Sequence, residues 1–282
     1  MLTYVDRIQL AVHDRGKASE TFRDLLSAEV AGEDGVKLLG ARRTVVQAGI
    51  SEFELLQPDG DGLVQQHLDQ WGEGIFAAGF SSPTLSALCS RLTDHNVTWR
   101  EEGEQVFIEP DQTPGMRMVL SPEKQRSPVG LISFVYEATN LIDDHDAAAA
   151  FYAETFGLDA SRFSPIESGQ YGYTGQLTLF DPPGRLDRIE LSQITDPNGA
   201  MGRFKGKHGQ SIYMCYVETP SVGAIVERLK KRKARWAGRT DDPNPEGIFI
   251  HPTSLHGALM GVSRTNLAWR WSGRPELAEQ PA

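Results

Sequence analysis

The chain of 282 residues has little cysteine, no surplus of basic residues and no long apolar run. Its two cysteines, Cys89 and Cys215, are too few for a disulfide framework, and both stand among apolar neighbours. We therefore expect two buried thiols in a protein of the reducing cytoplasm. The longest apolar stretch, residues 129–136, is too short to cross a bilayer, so no membrane partner is expected.

Basic charge is also scarce, since 28 Lys and Arg stand against 38 Asp and Glu, a formal net charge of −10. Phosphate backbones are bound by clustered Lys and Arg, so this balance argues against nucleic acid as the main partner. Apolar residues make up 39% of the chain, which is enough for folded cores and excludes global disorder. A chain of this length forms one large domain or two of roughly 140 residues.

The second half of the chain repeats the first. Residues 82–85 (SPTL) resemble residues 219–222 (TPSV), and each segment is predicted to start a helix, with Ser82 or Thr219 as the N-cap. Residues 53–57 (FELLQ) match residues 189–193 (IELSQ) in the same way.

The register is less clear near the start of each copy. The helix segment from Ala18 parallels the segment from Ala147, and an apparent insertion before His145 blurs the register of the strand that precedes it. The position of that strand in the second copy therefore stays ambiguous.

The repeat predicts four parts: a first domain at 1–122, a linker at 123–128, a second domain at 129–264 and a tail at 265–282. Each copy shows a strand–helix–strands pattern twice, which predicts an α+β protein with four βαβββ modules. Its sheets should be curved and mixed, with helices on the outer face and a cleft on the inner face. The tail contains Trp269 and Trp271, which we expect to pack over the first copy.

These segments resemble the vicinal oxygen chelate superfamily, which contains glyoxalase I, methylmalonyl-CoA epimerase, type I extradiol dioxygenases and the bleomycin-resistance proteins. The segments that carry the resemblance are residues 5–12, 53–58, 72–75, 147–157 and 248–252. It extends from residue 5 to about residue 263, and the segment around Glu54 with the glycine-rich turn after it looks most like the epimerase. It implies two tandem glyoxalase-like domains, but one fold hosts many chemistries.

In the metal-using members, a divalent ion in the cleft polarises vicinal oxygens of the substrate as a Lewis acid. The resemblance places its ligands, normally His, Glu or Gln, His and Glu, on four strands. In the first copy those positions are occupied by Arg7, Glu54, Ala77 and Val119. In the second copy they are occupied by Ser133 or Tyr136, then Glu190, Met214 and Gly261. Each copy thus keeps one residue of ligand type, so we assign no metal ligand and predict no cofactor, although a divalent metal is not excluded.

The remaining polar residues suggest proton chemistry in the second copy. We expect Glu190 to act as a base, His251 or His256 as an acid, and Tyr136 as a phenol donor to a developing enolate. The substrate-binding candidates in the two copies are Arg7, Gln9, Glu54, Tyr213 and Met214. Two alternatives stay open: Arg7 and Glu54 form a structural ion pair, and the two histidines cap a surface turn.

Three functions fit these residues. The first is a cytoplasmic, metal-independent enzyme, an isomerase or lyase, that performs proton transfer on a small oxygenated or thioester substrate. The second is a binding protein of the drug-resistance kind, which sequesters a small molecule without turning it over. The third is a metal-dependent dioxygenase or epimerase with atypical ligands. The assignment as an enzyme leans towards yes, the partner is a small molecule, and a homodimer is left open.

Overall fold

The computed structural model describes residues 1–180, 184–239 and 241–278 of the chain. The strands of the first half are β1 (Tyr4–Ala11), β2 (Glu29–Val36), β3 (Ala41–Ala48), β4 (Ser51–Pro58), β5 (Gly74–Ser82), β6 (Arg100–Glu102), β7 (Gln105–Ile108) and β8 (Met118–Pro122). Its helices are α1 (Arg15–Leu26), α2 (Leu63–Trp71) and α3 (Leu85–Asp94).

The strands of the second half are β9 (Phe134–Ile142), β10 (Ser164–Ser168), β11 (Tyr173–Leu179), β12 (Arg188–Ile194), β13 (Ser211–Thr219), β14 (Trp236–Gly238), β15 (Gly247–Ile250) and β16 (Met260–Arg264). Its helices are α4 (His145–Phe156), α5 (Ala200–His208) and α6 (Val222–Lys231). Short 3-10 helices lie at Lys37–Leu39, Pro110–Gln112, Ala160–Arg162, Pro252–Ser254, Leu267–Trp271 and Pro275–Leu277.

Each half forms one mixed sheet of eight strands, in the order β2-β3-β4-β1-β5-β8-β7-β6 or its counterpart β10-β11-β12-β9-β13-β16-β15-β14. The first strand of a half lies at the centre, parallel to the fourth and antiparallel to the fifth. Each sheet therefore contains two βαβββ modules side by side. The predicted α+β fold with four modules is confirmed.

Helix α1 shows how local sequence sets these elements. The side chain of Asp14 accepts a hydrogen bond from the backbone N–H of Lys17 and caps the helix, which ends at Ser27 in the left-handed conformation. Ala18, Phe22 and other apolar residues of one face are buried against the sheet. In the second half, α4 begins at His145 and is capped by Asp144.

The two predicted N-caps, Ser82 and Thr219, are wrong. Both residues are the last of a strand, because a proline follows each of them and its ring disfavours helical backbone in the residue before it. The helices start two residues later, at Leu85 after Thr84 and at Val222 after Ser221.

The two halves meet through equivalent contacts. The loop at Gly257 in the second half lies against Glu73 of the first, and the loop at Gly115 in the first lies against Gln210 of the second. Each contacted side chain also accepts a hydrogen bond from a backbone N–H of its own half, from His13 to Glu73 and from Asp143 to Gln210. The internal repeat thus reappears as an approximate two-fold relation between the halves.

A shared apolar core joins the halves, and it contains the side chains of both Cys89 and Cys215, which are buried as expected.

The tail does not follow its prediction. Trp269 packs with Tyr136, Leu186 and Ala268 against the second sheet, so the expectation that the tail covers the first copy is wrong. Across the described ranges, every helix falls short of the length and hydropathy needed to span a bilayer.

The tight packing of the interface predicts a large cost for a side chain at Gly257. This glycine has a φ of +80°, and a Cβ there would lie 1.7 Å from the carbonyl oxygen of Glu73. Gly209 has a similar φ of +69° but open space around it. We expect Gly257→Ala to lower the free energy of unfolding by about 3 kcal/mol and Gly209→Ala by about 1 kcal/mol.

Urea denaturation of both variants checks this difference. The strain of the positive φ is common to both glycines, so the comparison isolates the contact between the halves. Equal losses in the two variants would contradict a tightly packed interface at Gly257.

Candidate functional site

The strand register identifies equivalent residues at the centres of the two sheets. Arg7 on β1 pairs with Glu52 on β4 and with Gly79 on β5. The corresponding residues in the second half are Glu137 on β9, Arg188 on β12 and Tyr216 on β13.

Glu137 therefore occupies the place of Arg7, and the sequence assignment of Ser133 or Tyr136 to that position is wrong. Both halves have a register shift next to this residue, so strand and helix keep one common offset and no insertion separates them. The shift lets Tyr136 pack under the tail although its neighbour Glu137 pairs with Arg188.

The cleft of the first half is organised around the carboxylate of Glu54, which is fully buried. Its Oε1 accepts hydrogen bonds from Arg7 Nη1 at 2.5 Å and Gln105 Nε2 at 2.6 Å. Its Oε2 accepts from Gln9 Nε2 at 2.7 Å and Arg43 Nη1 at 3.1 Å. Two guanidinium groups and two amides thus surround one carboxylate.

These partners decide the ionisation of Glu54. Burial alone would raise its pKa, but the charges of Arg7 and Arg43 and the donated hydrogen bonds outweigh burial and lower the pKa to about 2. The carboxylate is therefore ionised throughout the physiological range. The geometry agrees with the structural ion pair that the sequence left open, because no oxygen of Glu54 remains for a ligand.

A metal does not fit this first cleft. A divalent ion would have to displace Arg7, whose Cγ lies 1.9 Å from where a Cβ of Gly79 would stand, and its charge would oppose two guanidinium groups. The last of the four positions is the buried side chain of Val119, which has no donor atom.

The second cleft has the opposite arrangement of charges. Arg188 and Glu137 form a fully buried ion pair, in which Nε donates to Glu137 Oε2 at 2.8 Å and Nη2 lies 2.7 Å from the same oxygen. Arg188 Nη1 also donates to Ser272 Oγ of the tail at 2.6 Å, and Thr139 Oγ1 donates to Glu137 Oε1 at 2.7 Å. The pair occupies the positions of Arg7 and Glu52, with cation and anion exchanged.

Glu190 lies beside this pair on the same strand as Arg188. Its carboxyl is 5% exposed and accepts a hydrogen bond from Ser192 Oγ at 2.7 Å. Burial, and then the negative charge of Glu137, raise the pKa of Glu190 well above its usual range. The carboxylates of Glu54 and Glu190 are equivalent in the fold, yet one is held ionised and the other is held towards its protonated form.

Tyr173, Tyr136 and Tyr216 lie near Glu190 or its neighbour Glu137. Tyr173 is in contact with Glu190, and burial followed by the charge of Glu190 raises the pKa of Tyr173, so this phenol keeps its proton. Tyr136 stacks on Tyr216 with ring centroids 5.8 Å apart, and its hydroxyl lies 3.0 Å from Ser263 Oγ.

The usual metal positions are occupied in the second cleft as well. The ring of Tyr216 lies over Gly261, where its Cε1 would be 2.1 Å from a Cβ. Glu137, which stands at the first ligand position, has its Oε2 in contact with both Nε and Nη2 of Arg188. Across residues 1–180, 184–239 and 241–278, no group of three or more His, Cys, Asp or Glu side chains is placed to hold a metal. The residues at the family's ligand positions do not fit a metal ion.

The two predicted acid histidines have partners elsewhere. His251 caps the short helix Pro252–Ser254, with its Nδ1 3.2 Å from the backbone N of Thr253. His256 lies at the interface of the halves, 3.0 Å from Glu73 Oε2 and 3.1 Å from Thr21 Oγ1. The structure therefore does not join either histidine to Glu190.

Tyr213 and Met214, the substrate-binding candidates of the second half, lie on β13. Met214 pairs in register with Thr139 on the central strand β9, and Thr139 pairs in register with Glu190 on β12. Tyr213 packs edge to face on Phe204 of α5, at one end of the cleft.

Glu137, Arg188, Ser192 and Tyr173 are site residues that sequence reasoning missed. One signal was present in the sequence, because Arg188 stands 136 residues after Glu52, the offset that relates Glu54 to Glu190. Arg188 thus has the opposite charge to Glu52 at the equivalent position, which indicates an ion pair with its charges exchanged. Its anionic partner is then expected on the first strand of the second half, at the position equivalent to Arg7.

Residues 138–259 match the family described as the Glyoxalase/Bleomycin resistance protein/Dioxygenase superfamily. The predicted resemblance to vicinal oxygen chelate proteins is confirmed for this part of the chain. A search of curated protein sequences found no match.

Solved structures show the same fold over the whole chain. A mutant of 4-hydroxymandelate synthase from Streptomyces coelicolor superposes with a TM-score of 0.74 at 14% identity, covering 94% of this chain and 93% of that one. A xylose isomerase-like TIM barrel/4-hydroxyphenylpyruvate dioxygenase fusion protein gives 0.63 at 10% identity, covering 94% of this chain and 49% of that one. Methylmalonyl-CoA epimerase from Mycobacterium tuberculosis gives 0.41 at 21% identity, covering 48% and 89%. At 14% and 10% identity, the first two superpositions support the fold.

The carboxylate of Glu54, with four donated hydrogen bonds, predicts an effect on stability. Arg7→Met would leave Glu54 and Asp6 with fewer buried partners, and we expect it to lower the free energy of unfolding by about 3 kcal/mol. Arg42→Met is the matched control, because Arg42 forms an exposed pair with Asp59 and should lose less than about 1 kcal/mol. Urea denaturation at pH 7 measures both, and similar losses would contradict a buried ion-pair cluster.

The raised pKa of Glu190 predicts a pH effect of opposite sign to that of a paired carboxylate. The folded protein holds this proton more tightly than the unfolded chain, so stability is full at low pH and falls as pH rises above the ordinary range of a glutamic acid. Glu190→Gln lacks this dependence. Between pH 5 and pH 8 the variant should gain stability relative to wild type, by at most about 1.4 kcal/mol per pH unit.

The exposed Glu20→Gln on α1 is the control, because that carboxylate lies in water in both states. Denaturation curves recorded at several pH values test the difference. Parallel stability profiles for wild type and Glu190→Gln would show that Glu190 ionises normally.

Proposed function

We propose that this chain, whose second half matches the glyoxalase, bleomycin-resistance and dioxygenase superfamily, is an enzyme that transfers a proton on a small oxygenated substrate. The observation that carries the proposal is the carboxyl of Glu190, buried beside the anion Glu137 and the neutral phenol Tyr173. Perturbed titratable groups that converge in a cleft are typical of acid–base sites.

The chemistry follows from the protonation states. A carboxylate with a raised pKa is a stronger base than an ordinary glutamate and can accept a proton from carbon next to a carbonyl or thioester. The hydroxyl of Tyr173 can donate a hydrogen bond to the enolate oxygen that forms. Arg188 pairs with Glu137 and fixes its position, and the charge of Glu137 raises the proton affinity of Glu190. Returning the proton to the same face of the enolate regenerates the substrate, and returning it to the opposite face gives the epimer.

Two further assignments of the second half belong to this proposal. Tyr213 and Met214 lie along the cleft as candidates for substrate contact, whereas His251 and His256 serve a turn and the interface. No step in this scheme uses a metal at the family's ligand positions, because Arg188 and the ring of Tyr216 fill the space around them.

Solvent exchange at carbon tests the proposal before the natural substrate is known. We expect the wild-type protein to catalyse deuterium uptake at the α-carbon of one or more compounds in a panel of short 2-oxo acids and acyl thioesters, monitored by NMR in D2O. The rate should rise with pH as Glu190 ionises, and Glu190→Gln should lower it by at least a hundredfold.

Ser192→Ala provides a graded control. Ser192 donates to Glu190 and lowers its pKa, so its removal should shift the midpoint of the rate profile to higher pH while leaving the maximal rate similar. Exchange that persists in Glu190→Gln would contradict the assignment of the base.

One observation favours a binding protein as the second candidate. Tyr171, Tyr216 and Phe249 form a run of aromatic contacts in the second half, with ring centroids 6.2 and 5.8 Å apart, and Tyr171 is 45% exposed. Such a run could hold an apolar or aromatic compound without chemistry. Tight binding of a ligand that is recovered unchanged, with no exchange in any compound of the panel, would support this candidate over the enzyme.

A further inference from the structure

A second cavity lies at the seam between the halves, apart from Glu190. It has a volume of about 210 Å³, and its walls come from three parts of the chain. Ser81 is near the end of β5, Arg126 is in the connection between the halves, and Arg185 precedes β12. None of the residues that contact Glu190 lines this cavity.

Three buried donors on residues of the wall have no hydrogen bond among the described residues, and one of them, Arg185 Nε, lies 2.8 Å from Asp187 Oδ2. The other two belong to Arg126 and Ser81. The side chain of Arg126 is 9% exposed, and its Nε donates to Glu52 Oε1 at 2.9 Å, but its Nη2 has no hydrogen bond. The nearest carboxylate oxygen to that nitrogen, Asp6 Oδ2, is 3.7 Å away. Ser81 is 1% exposed, and its hydroxyl has no partner either.

Such groups are uncommon, because a buried donor without an acceptor costs free energy comparable to a lost hydrogen bond. Two of them on residues that line one small cavity indicate that an acceptor belongs beside them.

The wall of the cavity carries cationic hydrogen-bond donors. Three cations, Arg126, Arg185 and Lys124, line the cavity with the carboxylate of Asp6. Each cation also pairs with a carboxylate outside the lining, which is Glu52, Asp187 and Glu104 in that order. Asp6 is already engaged, since Arg7 Nη2 donates to it at 2.9 Å. Arg185 is held in place between the rings of Tyr4 and Phe134, with its guanidinium carbon 4.3 and 4.0 Å from their centroids. The guanidinium of Arg185 is therefore fixed at the cavity.

We propose that this cavity is a binding site for a small oxyanion, a short carboxylate or a phosphate, which accepts hydrogen bonds from Arg126 Nη2 and Ser81 Oγ. The volume corresponds to about seven water molecules at liquid density, so the ligand has few heavy atoms. An oxyanion suits an arginine nitrogen because charged donor and acceptor form a strong hydrogen bond. Bound there, the ligand connects the first half, the linker and the second half.

Calorimetric titration with sodium propionate and with inorganic phosphate, each at constant ionic strength, tests the site. We expect one of these ions to bind with a stoichiometry of one and to raise the melting temperature of the wild-type protein. Binding of propionate alone would identify a carboxylate site, and binding of phosphate alone a phosphate site. Failure of both ions to bind overturns the proposal.

The decisive variant is Ser81→Ala. The hydroxyl of Ser81 makes no intramolecular hydrogen bond, so its removal should leave the fold unchanged. The affinity for the anion should fall about fivefold, which corresponds to the loss of one hydrogen bond. Arg126→Gln should weaken it at least tenfold. Ser90→Ala on the exposed face of α3 is the matched control and should bind like wild type.

Glu190→Gln separates this proposal from the proposed enzyme site. The variant should bind the anion with wild-type affinity, because Glu190 does not reach the cavity. Loss of binding in Glu190→Gln, or unchanged binding in Ser81→Ala, would place the anion elsewhere and overturn the assignment.

Discussion

Both clefts depend on the parallel pairing of the first and fourth strands of each half. That pairing sets two charged side chains next to each other beneath a sheet that is closed to water, where each charge needs its partner. In the first half the cation stands on the first strand, at Arg7, and the anion on the fourth, at Glu52. In the second half the anion is Glu137 and the cation is Arg188. The same geometry thus holds a reversed ion pair.

The reversal explains why two equivalent glutamates differ. Glu54 faces the cation of its first strand and is stabilised as a carboxylate, so its half becomes a closed structural unit. Glu190 faces the anion of its first strand, and it resists ionisation. One exchange of sign, made within a duplicated scaffold, separates a stabilising copy from a chemically poised one. This division of labour needs no difference in backbone topology.

Much of the fold could be predicted from the sequence, since the repeats at residues 53–57 and 189–193 align strands and helices directly. The helix segment at Ala18 was predicted because its cap and its apolar face are local signals. The ends of β5 and β13 were missed, because a proline permits a helix start and also favours an extended residue before it. The side of the sheet covered by Trp269 depends on tertiary packing and leaves no local pattern.

The site was predicted less completely. Glu190 was identified because a repeat brings it into register with Glu54. Glu137 was missed because Ala18 was aligned with Ala147, one residue out of register; α1 and α4 begin 130 residues apart, the offset that also relates Arg7 to Glu137. His251 and His256 were chosen by residue type, which does not show where a side chain points in the folded protein. Their partners, Thr253 and Glu73, were fixed by a turn and by the contact between halves.

The tail gives the second cleft an order of assembly. Ser272 binds Arg188 and Trp269 covers Tyr136, and both residues follow the last strand of the sheet in the chain. During synthesis, the strands that carry Glu137 and Glu190 leave the ribosome before the segment that shields them. The polar floor of this cleft is therefore accessible to water and to chaperones for a short interval, whereas the first cleft is complete once β8 has emerged.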